Sequence, residues 1–448
     1  MKALYSTELQ EKTRKAFLVG VQLKGIPEWK VHDSLEELEQ LVWSLGGQVL
    51  GRGIQRLDHP HPATFIGPGK AEEFAELCRS LGVDTVVFDD ELTPAQTRNL
   101  EEIFQAKIVD RTMLILDIFA QRAQTREAQL QVELARLEHI LPRLRRYWKH
   151  LSRQPGGIGI RGGEGETQLE QDRRKVKKQI DRLKEELEEV RRQRAVRRQG
   201  RRRREWPLAS LVGYTNAGKS TLFNALTGAH AKEADKLFAT LDPLTRLLEL
   251  PTNQKVLLSD TVGFIRKLPH LLIDAFKATL EEVVYADLLL HVVDVSHPQA
   301  EEQIETVEQV LKEIGADGKP TVLVLNKIDL LQNGKPIESW LQRYPYAVPV
   351  SAKTGQGLDM LMAEIANQLR PVRELVELEI PHAEGGVTAR VYEVGEVLHA
   401  DYSGSAVQLQ ARIPPYYLAE FAPYLRRRNG ENIKVFEEET PIRPNSSP

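Results

Sequence analysis

The chain has 448 residues, which exceeds the size of one typical hydrophobic core and predicts about three domains. Its 41% hydrophobic and 28% charged residues are ordinary for a soluble globular protein, and its net charge of −3 does not by itself indicate nucleic-acid binding. The single cysteine, Cys78, excludes an intrachain disulfide and a cysteine-based metal site, and is typical of a reducing compartment. Because the first residues lack the apolar core of a signal peptide and no apolar run approaches about 18 residues, we expect a cytosolic protein without a transmembrane helix.

Residues 1–120 predict a small α/β domain, because strand-like and helix-like runs alternate there. We expect strands at residues 17–23 and 85–88, and helices at residues 35–45 and 71–81. The sequence GPGK, residues 67–70, precedes the second helix and is interpreted as a turn and helix start. A phosphate contact at that helix N-terminus is the alternative.

Residues 121–205 predict two long helices packed as an antiparallel hairpin, because apolar residues recur there at alternating spacings of four and three. The first stripe consists of Leu130, Leu134, Leu137, Leu141, Leu144, Trp148 and Leu151. The second consists of Val176, Ile180, Leu183, Leu187 and Val190.

A glycine-rich segment, residues 154–166, is expected to link the two helices. It is longer than a tight helical connection requires, and a flexible tip of this kind can approach RNA or protein backbone closely. We favour a functional probe over a disordered connector. Its candidate contact residues are Gly156, Gly157, Gly159, Arg161, Gly162 and Gly163.

The second helix is predicted to end in a dense basic run, residues 191–204. Such a run is interpreted as an electrostatic footprint for nucleic-acid phosphates, with a solvated linker as the alternative. Contacts of this type are sensitive to salt and independent of nucleotide sequence.

Residues 206–371 begin with an apolar strand that leads into GYTNAGKS, which has the spacing of a phosphate-binding loop before a helix. Glycines let the backbone N–H groups turn towards an anion, the lysine supplies a positive charge and the serine offers a hydroxyl to Mg²⁺. The candidate phosphate-binding residues are Gly213, Tyr214, Thr215, Asn216, Ala217, Gly218, Lys219 and Ser220.

Three later stretches, each at the end of a predicted strand, favour GTP. The sequence DTVG can reach Mg²⁺ and the γ-phosphate. The aspartate of NKID can accept two hydrogen bonds from guanine, and next to adenine that aspartate, if buried, would stay unpaired. The sequence SAK can close over the base. The residues concerned are Asp260, Thr261, Val262, Gly263, Asn326, Lys327, Ile328, Asp329, Ser351, Ala352 and Lys353. In this combination the region resembles a GTPase domain of the TRAFAC class.

A nucleotide-sensing loop is expected between these motifs, in FATLDP. Thr240 would supply a second Mg²⁺ ligand beside Ser220, and an ordinary loop threonine is the alternative. The candidate nucleotide contacts here are Phe238, Ala239, Thr240, Leu241 and Asp242. We assign catalytic roles to Lys219, Thr240 and Gly263.

The residue after Gly263 is Phe264, where many small GTPases have a glutamine that orients the attacking water. Because phenylalanine cannot do this, we expect slow intrinsic hydrolysis or another means of positioning water. Asn216 suggests a K⁺ ion beside the phosphates, and bracing of the loop is the alternative.

Residues 372–448 predict a small α+β domain with no chemistry that the sequence identifies. Strands are expected at residues 387–397, 406–413 and 433–436, and a helix at residues 416–425. The last residues, 438–448, are expected to form a disordered tail.

The whole layout resembles the HflX family, in GGIGIRGGEGETQLEQDRR, GYTNAGKSTLFNALTG, LFATLDP, DTVGFIRKLP, NKID and SAK. This resemblance implies a multidomain α/β protein: a P-loop GTPase domain with an N-terminal α/β domain, a long helical hairpin and a small C-terminal α+β domain. It further implies a GTPase that uses Mg²⁺, binds the 50S ribosomal subunit and 23S rRNA, and splits stalled or stressed 70S ribosomes. We expect a monomer. A GTP-binding RNA chaperone or scaffold with incidental hydrolysis is the alternative.

Overall fold

The computed structural model describes residues 14–143, 164–202, 206–228, 237–238, 240–251, 254–267, 280–331, 337–344, 346–369, 374–413 and 415–426. The chain forms two compact units. The first comprises Met1–Glu249 and Lys255–Leu369, and the second comprises Leu250–Gln254 and Arg370–Pro448. Within the described ranges no helix combines the length and apolar character that crossing a membrane requires.

The first unit opens with a four-stranded parallel sheet in the order β2-β1-β3-β4. Its strands are β1 (Lys15–Leu23), β2 (Gln48–Leu57), β3 (Thr85–Phe88) and β4 (Lys107–Asp110), and its helices are α1 (Glu28–Ser44), α2 (Pro68–Leu81) and α3 (Pro94–Phe104). Alternate residues of β1 enter different apolar clusters: Leu18 packs with α1, and Phe17 packs with α2. Both faces of the sheet are therefore covered, as the predicted α/β alternation requires.

Two elements of this region, helix α1 and strand β2, differ from the sequence prediction. Helix α1 begins at Glu28 rather than at residue 35, with Pro27 fixing an extended backbone at its N-cap. Strand β2 was missed because glycines interrupt its apolar pattern. A Cβ atom at Gly53 would lie 2.5 Å from Cζ of Phe74, so these glycines let aromatic rings pack against the strand.

Three helices follow: α4 (Arg111–Arg122), α5 (Arg126–Ile140) and α6 (Glu164–Arg202). Helices α5 and α6 pack through a cluster formed by Leu130, Leu134, Ile180, Leu183 and Leu187. The prediction that residues 164–166 belong to the linking loop is wrong, because α6 already begins at Glu164, where acidic residues favour a helix N-terminus. The six candidate tip residues, from Gly156 to Gly163, lie outside the described residues.

A six-stranded sheet in the order β10-β9-β8-β5-β7-β6 forms the rest of the first unit, and all neighbouring strands except β6 and β7 run parallel. The strands are β5 (Leu208–Gly213), β6 (Leu244–Glu249), β7 (Lys255–Asp260), β8 (Leu288–Asp294), β9 (Thr321–Asn326) and β10 (Val348–Pro349). The helices are α7 (Lys219–Thr227), α8 (Ala300–Glu313), α9 (Ile337–Arg343) and α10 (Leu358–Gln368). The predicted motifs therefore follow the carboxyl ends of parallel strands at one edge of the sheet.

The second unit contains an antiparallel sheet in the order β11-β13-β12. Its elements are β11 (Glu374–Pro381), α11 (Gly385–Val394), β12 (Glu396–Asp401), β13 (Ala406–Ile413) and α12 (Pro415–Phe421). The predicted strand at residues 387–397 is wrong, since most of it forms α11. Val387, Val391 and Val394 recur at helical rather than strand spacing and pack into the core of this unit. The predicted strand at residues 433–436 lies outside the described residues.

The buried His291 of β8 generates a prediction about stability and pH. Burial, followed by the positive charge of Lys219, lowers the pKa of His291 from 6.5 to about 4. Between these values the unfolded chain binds more protons, so the unfolding free energy falls as the pH falls through this range. We expect His291 to account for a loss of about 3 kcal/mol between pH 7 and pH 4. Urea unfolding of the wild type and of His291→Gln should therefore differ in pH dependence by this amount, and parallel pH profiles would contradict the prediction.

Candidate nucleotide-binding site

The phosphate loop links the end of β5 to the start of α7. Gly213 has a φ of +151°, and a Cβ atom there would lie 2.3 Å from the carbonyl oxygen of Val292. The ammonium group of Lys219 donates to the carbonyl oxygens of Gly213 (3.1 Å) and Tyr214 (2.8 Å). Burial lowers the pKa of Lys219 to about 8, while Asp260 acts in the opposite direction. The loop therefore holds a buried cation at a helix N-terminus, which is an arrangement suited to an anion.

Three oxygen-bearing side chains converge beside this loop. The hydroxyl groups of Ser220 and Thr240 donate to Oδ2 of Asp260 at 2.7 Å and 2.9 Å, and the two hydroxyl oxygens lie 2.8 Å apart. Oδ1 of Asp260 is buried and has no hydrogen-bond partner, and burial raises the pKa of this carboxyl group. Hard oxygen donors around an unsatisfied carboxylate suit Mg²⁺. In the described part of the chain no cluster of three or more histidines, cysteines or carboxylates offers another metal site.

The motifs after β9 and β10 are joined to the phosphate loop by Asn326. Its side-chain amide donates to the carbonyl oxygen of Ala217 (2.8 Å) and accepts from the backbone N–H of Ala352 (3.0 Å). Asp329 accepts from the hydroxyl of Ser351 at 2.7 Å and is exposed rather than buried. The carboxylate of Asp329 is therefore oriented by Ser351 and exposed to solvent, so that a guanine base can bind to it.

The segment that we call the Gly263 loop, residues 260–267, lies against the phosphate loop. The backbone N–H of Thr215 donates to the carbonyl oxygen of Phe264 (2.7 Å), and the N–H of Phe264 donates to that of Gly213 (3.1 Å). A Cβ atom at Gly263 would lie 2.9 Å from Nζ of Lys219. The ring of Phe264 is 1% exposed and belongs to the largest apolar cluster. This side chain offers no polar atom to a water molecule.

Several predicted site residues have other roles in this structure. Thr261 donates its hydroxyl to the carbonyl oxygen of Leu211, and Lys353 is exposed. Lys327 forms an ion pair with Asp294 at 2.7 Å. Residues buried in apolar surroundings are Val262, Phe238 and Leu241. Ile328 is half-buried, Asn216 is exposed with a φ of +60°, and Ala239 lies outside the described residues.

A buried ion cluster next to the phosphate loop was missed by sequence reasoning. The guanidinium of Arg111, 2% exposed, contacts Asp89 at 2.7 Å and also Glu37. Glu37 accepts from the hydroxyl of Tyr214, whose oxygen in turn accepts from the N–H of Arg266 at 2.9 Å. Burial acts to lower the pKa of Arg111, but Glu37 and Asp89 outweigh it and hold the pKa above its usual value. The cluster connects the first sheet to the phosphate loop.

The Gly263 loop also ends in ion pairs with the first domain. Arg266 contacts Asp33, and Lys267 lies 2.6 Å from both Asp89 and Asp90. The only sequence signal was the placement of two basic residues directly after a nucleotide motif. Their partners in the first domain are more than 170 residues away in the chain, so sequence spacing could not identify them.

Three family models match the chain in succession. Residues 32–120 match the model described as GTP-binding GTPase N-terminal. Residues 122–201 match GTP-binding GTPase Middle Region, and residues 209–327 match 50S ribosome-binding GTPase. The matched regions contain strands β2 to β4 of the first sheet, helix α5, nearly all of α6, and the nucleotide motifs as far as Lys327.

Individual relatives match over most of their length. A protein named GTPase HflX from Lacrimispora saccharolytica is 46% identical over 415 residues, which cover 93% of this chain and 97% of that protein. A GTPase HflX from Escherichia coli is 47% identical over 385 residues, which cover 85% and 90%. Among solved structures, a GTP-binding protein from Sulfolobus solfataricus in complex with GDP is 27% identical, covers 80% of this chain and 98% of that chain, and has a TM-score of 0.42.

The two glycines that flank α7 provide a matched test of the site. Gly218 and Gly228 both have positive φ angles, of +91° and +63°. A Cβ atom at Gly218 would lie 2.3 Å from Nδ2 of Asn326, whereas nothing lies within 4 Å of one at Gly228. We expect Gly218→Ala to displace Asn326 and to weaken GDP binding about 100-fold, equivalent to about 3 kcal/mol.

Gly228→Ala serves as the control, because it carries the same backbone strain, of about 1–2 kcal/mol, without the collision. Its GDP affinity, measured by calorimetry, should stay within about threefold of the wild type. Equal losses of affinity in the two variants would show that strain, rather than the position of Asn326, is responsible.

Proposed function

The chain belongs to the HflX family of GTPases, and on this premise we propose that it couples GTP hydrolysis to the splitting of stalled or stressed 70S ribosomes by binding the 50S subunit. The observation that carries the proposal is the convergence of Ser220, Thr240 and Asp260 beside the phosphate loop. This convergence lies in the same compact unit as the packed helices α5 and α6. The unit therefore combines a site suited to GTP and Mg²⁺ with an elongated element suited to a large partner.

In this proposal the phosphates lie on residues 213–220, and Asp329 and Ser351–Lys353 receive the guanine. Ser220 and Thr240 hold Mg²⁺, and Asp260 orients its coordination shell. The ion neutralises charge that develops on the phosphate oxygens. Lys219 contributes a second positive charge from a buried position, and the N–H of Gly263 would donate to the γ-phosphate.

Hydrolysis would shift the protein between two conformations of the Thr240 loop and the Gly263 loop. GTP and Mg²⁺ favour the arrangement in which the Thr240 loop, residues 238–243, and the Gly263 loop are both ordered, and loss of the γ-phosphate releases them. The ordered form binds the ribosome more tightly. Because coupling between two binding equilibria is reciprocal, the ribosome then favours the form that is competent for hydrolysis.

The ribosomal contact is proposed to involve the glycine-rich tip and the basic end of α6. The candidate 23S rRNA contacts are Gly156, Gly157, Gly159, Arg161, Gly162 and Gly163, because a glycine-rich tip can approach RNA backbone closely. The basic residues at the end of α6 continue on a helical backbone to Arg202, and β5 follows later in the chain at Leu208. A cytosolic monomer fits this activity.

Ribosome-dependent hydrolysis provides the test of this function. We expect purified 50S subunits to stimulate GTP turnover at least about tenfold, the lower range of typical allosteric coupling. Deleting residues 156–163, which stops before α6 begins, should remove most of the stimulation and leave intrinsic turnover unchanged. Arg161→Ala should reduce stimulation, while Arg79→Ala on the exposed face of α2 should not.

Two results would contradict the proposal in different ways. No stimulation of the wild type would remove the ribosomal function and leave a GTPase with another partner, such as an RNA that it chaperones. Stimulation that is equal in the wild type and the deletion variant would retain the ribosome and remove the tip from the interaction.

We also propose that K⁺ assists hydrolysis, because the buried Phe264 cannot orient water and Asn216 faces solvent at the phosphate loop. Turnover should be at least about tenfold faster in K⁺ than in Na⁺ at equal ionic strength, which corresponds to about 1.4 kcal/mol of barrier. The variant Asn216→Gly tolerates the φ of +60° and removes the amide, so it should lose this preference. Equal rates in the two salts would exclude a role for K⁺.

A further inference from the structure

Asp242 connects the Thr240 loop to the base of helix α5. Its Oδ2 accepts hydrogen bonds from the backbone N–H groups of Gln124 (3.1 Å) and Thr125 (3.3 Å), and its Oδ1 accepts one from the hydroxyl of Thr125. The same hydroxyl oxygen accepts from the N–H of Ala128 at 3.2 Å and so caps α5. A carboxylate from the nucleotide site thus completes the N-terminus of a helix that lies about 120 residues earlier in the chain.

Apolar contacts hold the loop at the same place. The rings of Phe238 and Phe119 lie edge to face with centroids 4.6 Å apart, and both side chains are at most 2% exposed. Leu241 belongs to the same apolar cluster as Ala128 and Val132 of α5. Asp242 therefore lies at the rim of a packed contact: its own hydrogen bonds are exposed, and the apolar side chains beside it are buried.

The other end of the loop lies at the candidate metal site. Thr240, only two residues from Asp242, contacts Ser220 and Asp260. Two residues of extended chain span at most about 7 Å. Thr240 therefore cannot move more than about 7 Å from Asp242 unless Asp242 leaves α5 or carries the first turn of α5 with it.

We propose that Asp242 is a positioning residue for GTP hydrolysis: it holds Thr240 at the metal site and makes the N-terminus of α5 respond to the bound nucleotide. The inference rests on the proposed role of Thr240 as an Mg²⁺ ligand. With the γ-phosphate present, Thr240 and Asp242 are both engaged and the first turn of α5 is protected. After hydrolysis the loop is released, Asp242 leaves the helix, and that turn opens. The helix that packs against α6 thereby receives the nucleotide signal at its base.

The test compares backbone hydrogen exchange of the full chain with Mg²⁺ and either GDP or a non-hydrolysable GTP analogue. In the wild type, the amides of Gln124 and Thr125 should exchange about tenfold more slowly with the analogue than with GDP, since typical coupling spans about 5- to 150-fold. Asp242→Ala should remove this difference. The same variant should release the analogue about tenfold faster and release GDP at the wild-type rate, because only the analogue requires Thr240.

Two further variants make the result specific. Thr125→Ser keeps the hydroxyl and should retain the nucleotide-dependent protection. Asp317→Asn removes a carboxylate from the exposed turn after α8 and should behave as the wild type in both measurements. Unchanged GDP release also shows that Asp242→Ala has folded.

The possible results separate this inference from the function on which it rests. If Asp242→Ala speeds exchange equally with both nucleotides and leaves release of the analogue unchanged, Asp242 is only a helix cap and the inference is wrong. If the wild type binds the analogue but shows no nucleotide-dependent protection, the coupling to α5 is excluded while nucleotide binding stands. Failure of the wild type to bind either nucleotide would instead contradict the proposed function itself.

Discussion

One continuous apolar cluster governs the first compact unit, because it includes side chains of the Thr240 loop, of the Gly263 loop and of helices α1, α4 and α5. Phe238 and Leu241 of the Thr240 loop, and Phe264 of the Gly263 loop, share it with α1, α4 and α5. Close-packed interiors do not deform continuously, so a loop built into such a core changes between discrete arrangements or not at all. The position of each loop is therefore determined in part by its packing against the first domain. A GTPase domain whose loops face only solvent would lack this constraint.

Ion pairs fix the position of the Gly263 loop relative to the first sheet more specifically than apolar packing does. Arg111 is almost fully buried between Asp89 and Glu37, and Lys267 reaches the same Asp89. Removing one member of such a buried set leaves an uncompensated charge, at a cost of about 3–5 kcal/mol, although the complete set contributes little net stability. The cluster therefore favours one relative position of the loop and the first sheet over others. We therefore interpret the ion cluster as fixing the position of the Gly263 loop against the first sheet, rather than as a source of net stability.

The sequence predicted the parts of the structure that depend on local chemistry. The residues of GYTNAGKS, DTVG, NKID and SAK each need a strand end, and the parallel sheet brings these ends together. The predictions for strand β2 and helix α11 were wrong for local reasons as well. Glycines hide the pattern of the first, and the β-branched valines of the second favour a strand by residue type although they recur at helical spacing. In these cases packing against distant residues, such as Phe74 on Gly53, decides the conformation.

The contacts that join the two domains could not be predicted in this way. Asp242 was assigned to the nucleotide because it stands beside Thr240, yet its carboxylate bonds to Gln124 and Thr125. Tyr214 was assigned to the phosphates, yet its hydroxyl bonds to Glu37. In both cases a residue inside a nucleotide motif contributes its backbone to the motif and its side chain to another domain. The side chains of Asp242 and Tyr214 therefore show which other parts of the chain the nucleotide motifs contact, and the motif pattern alone does not predict these contacts.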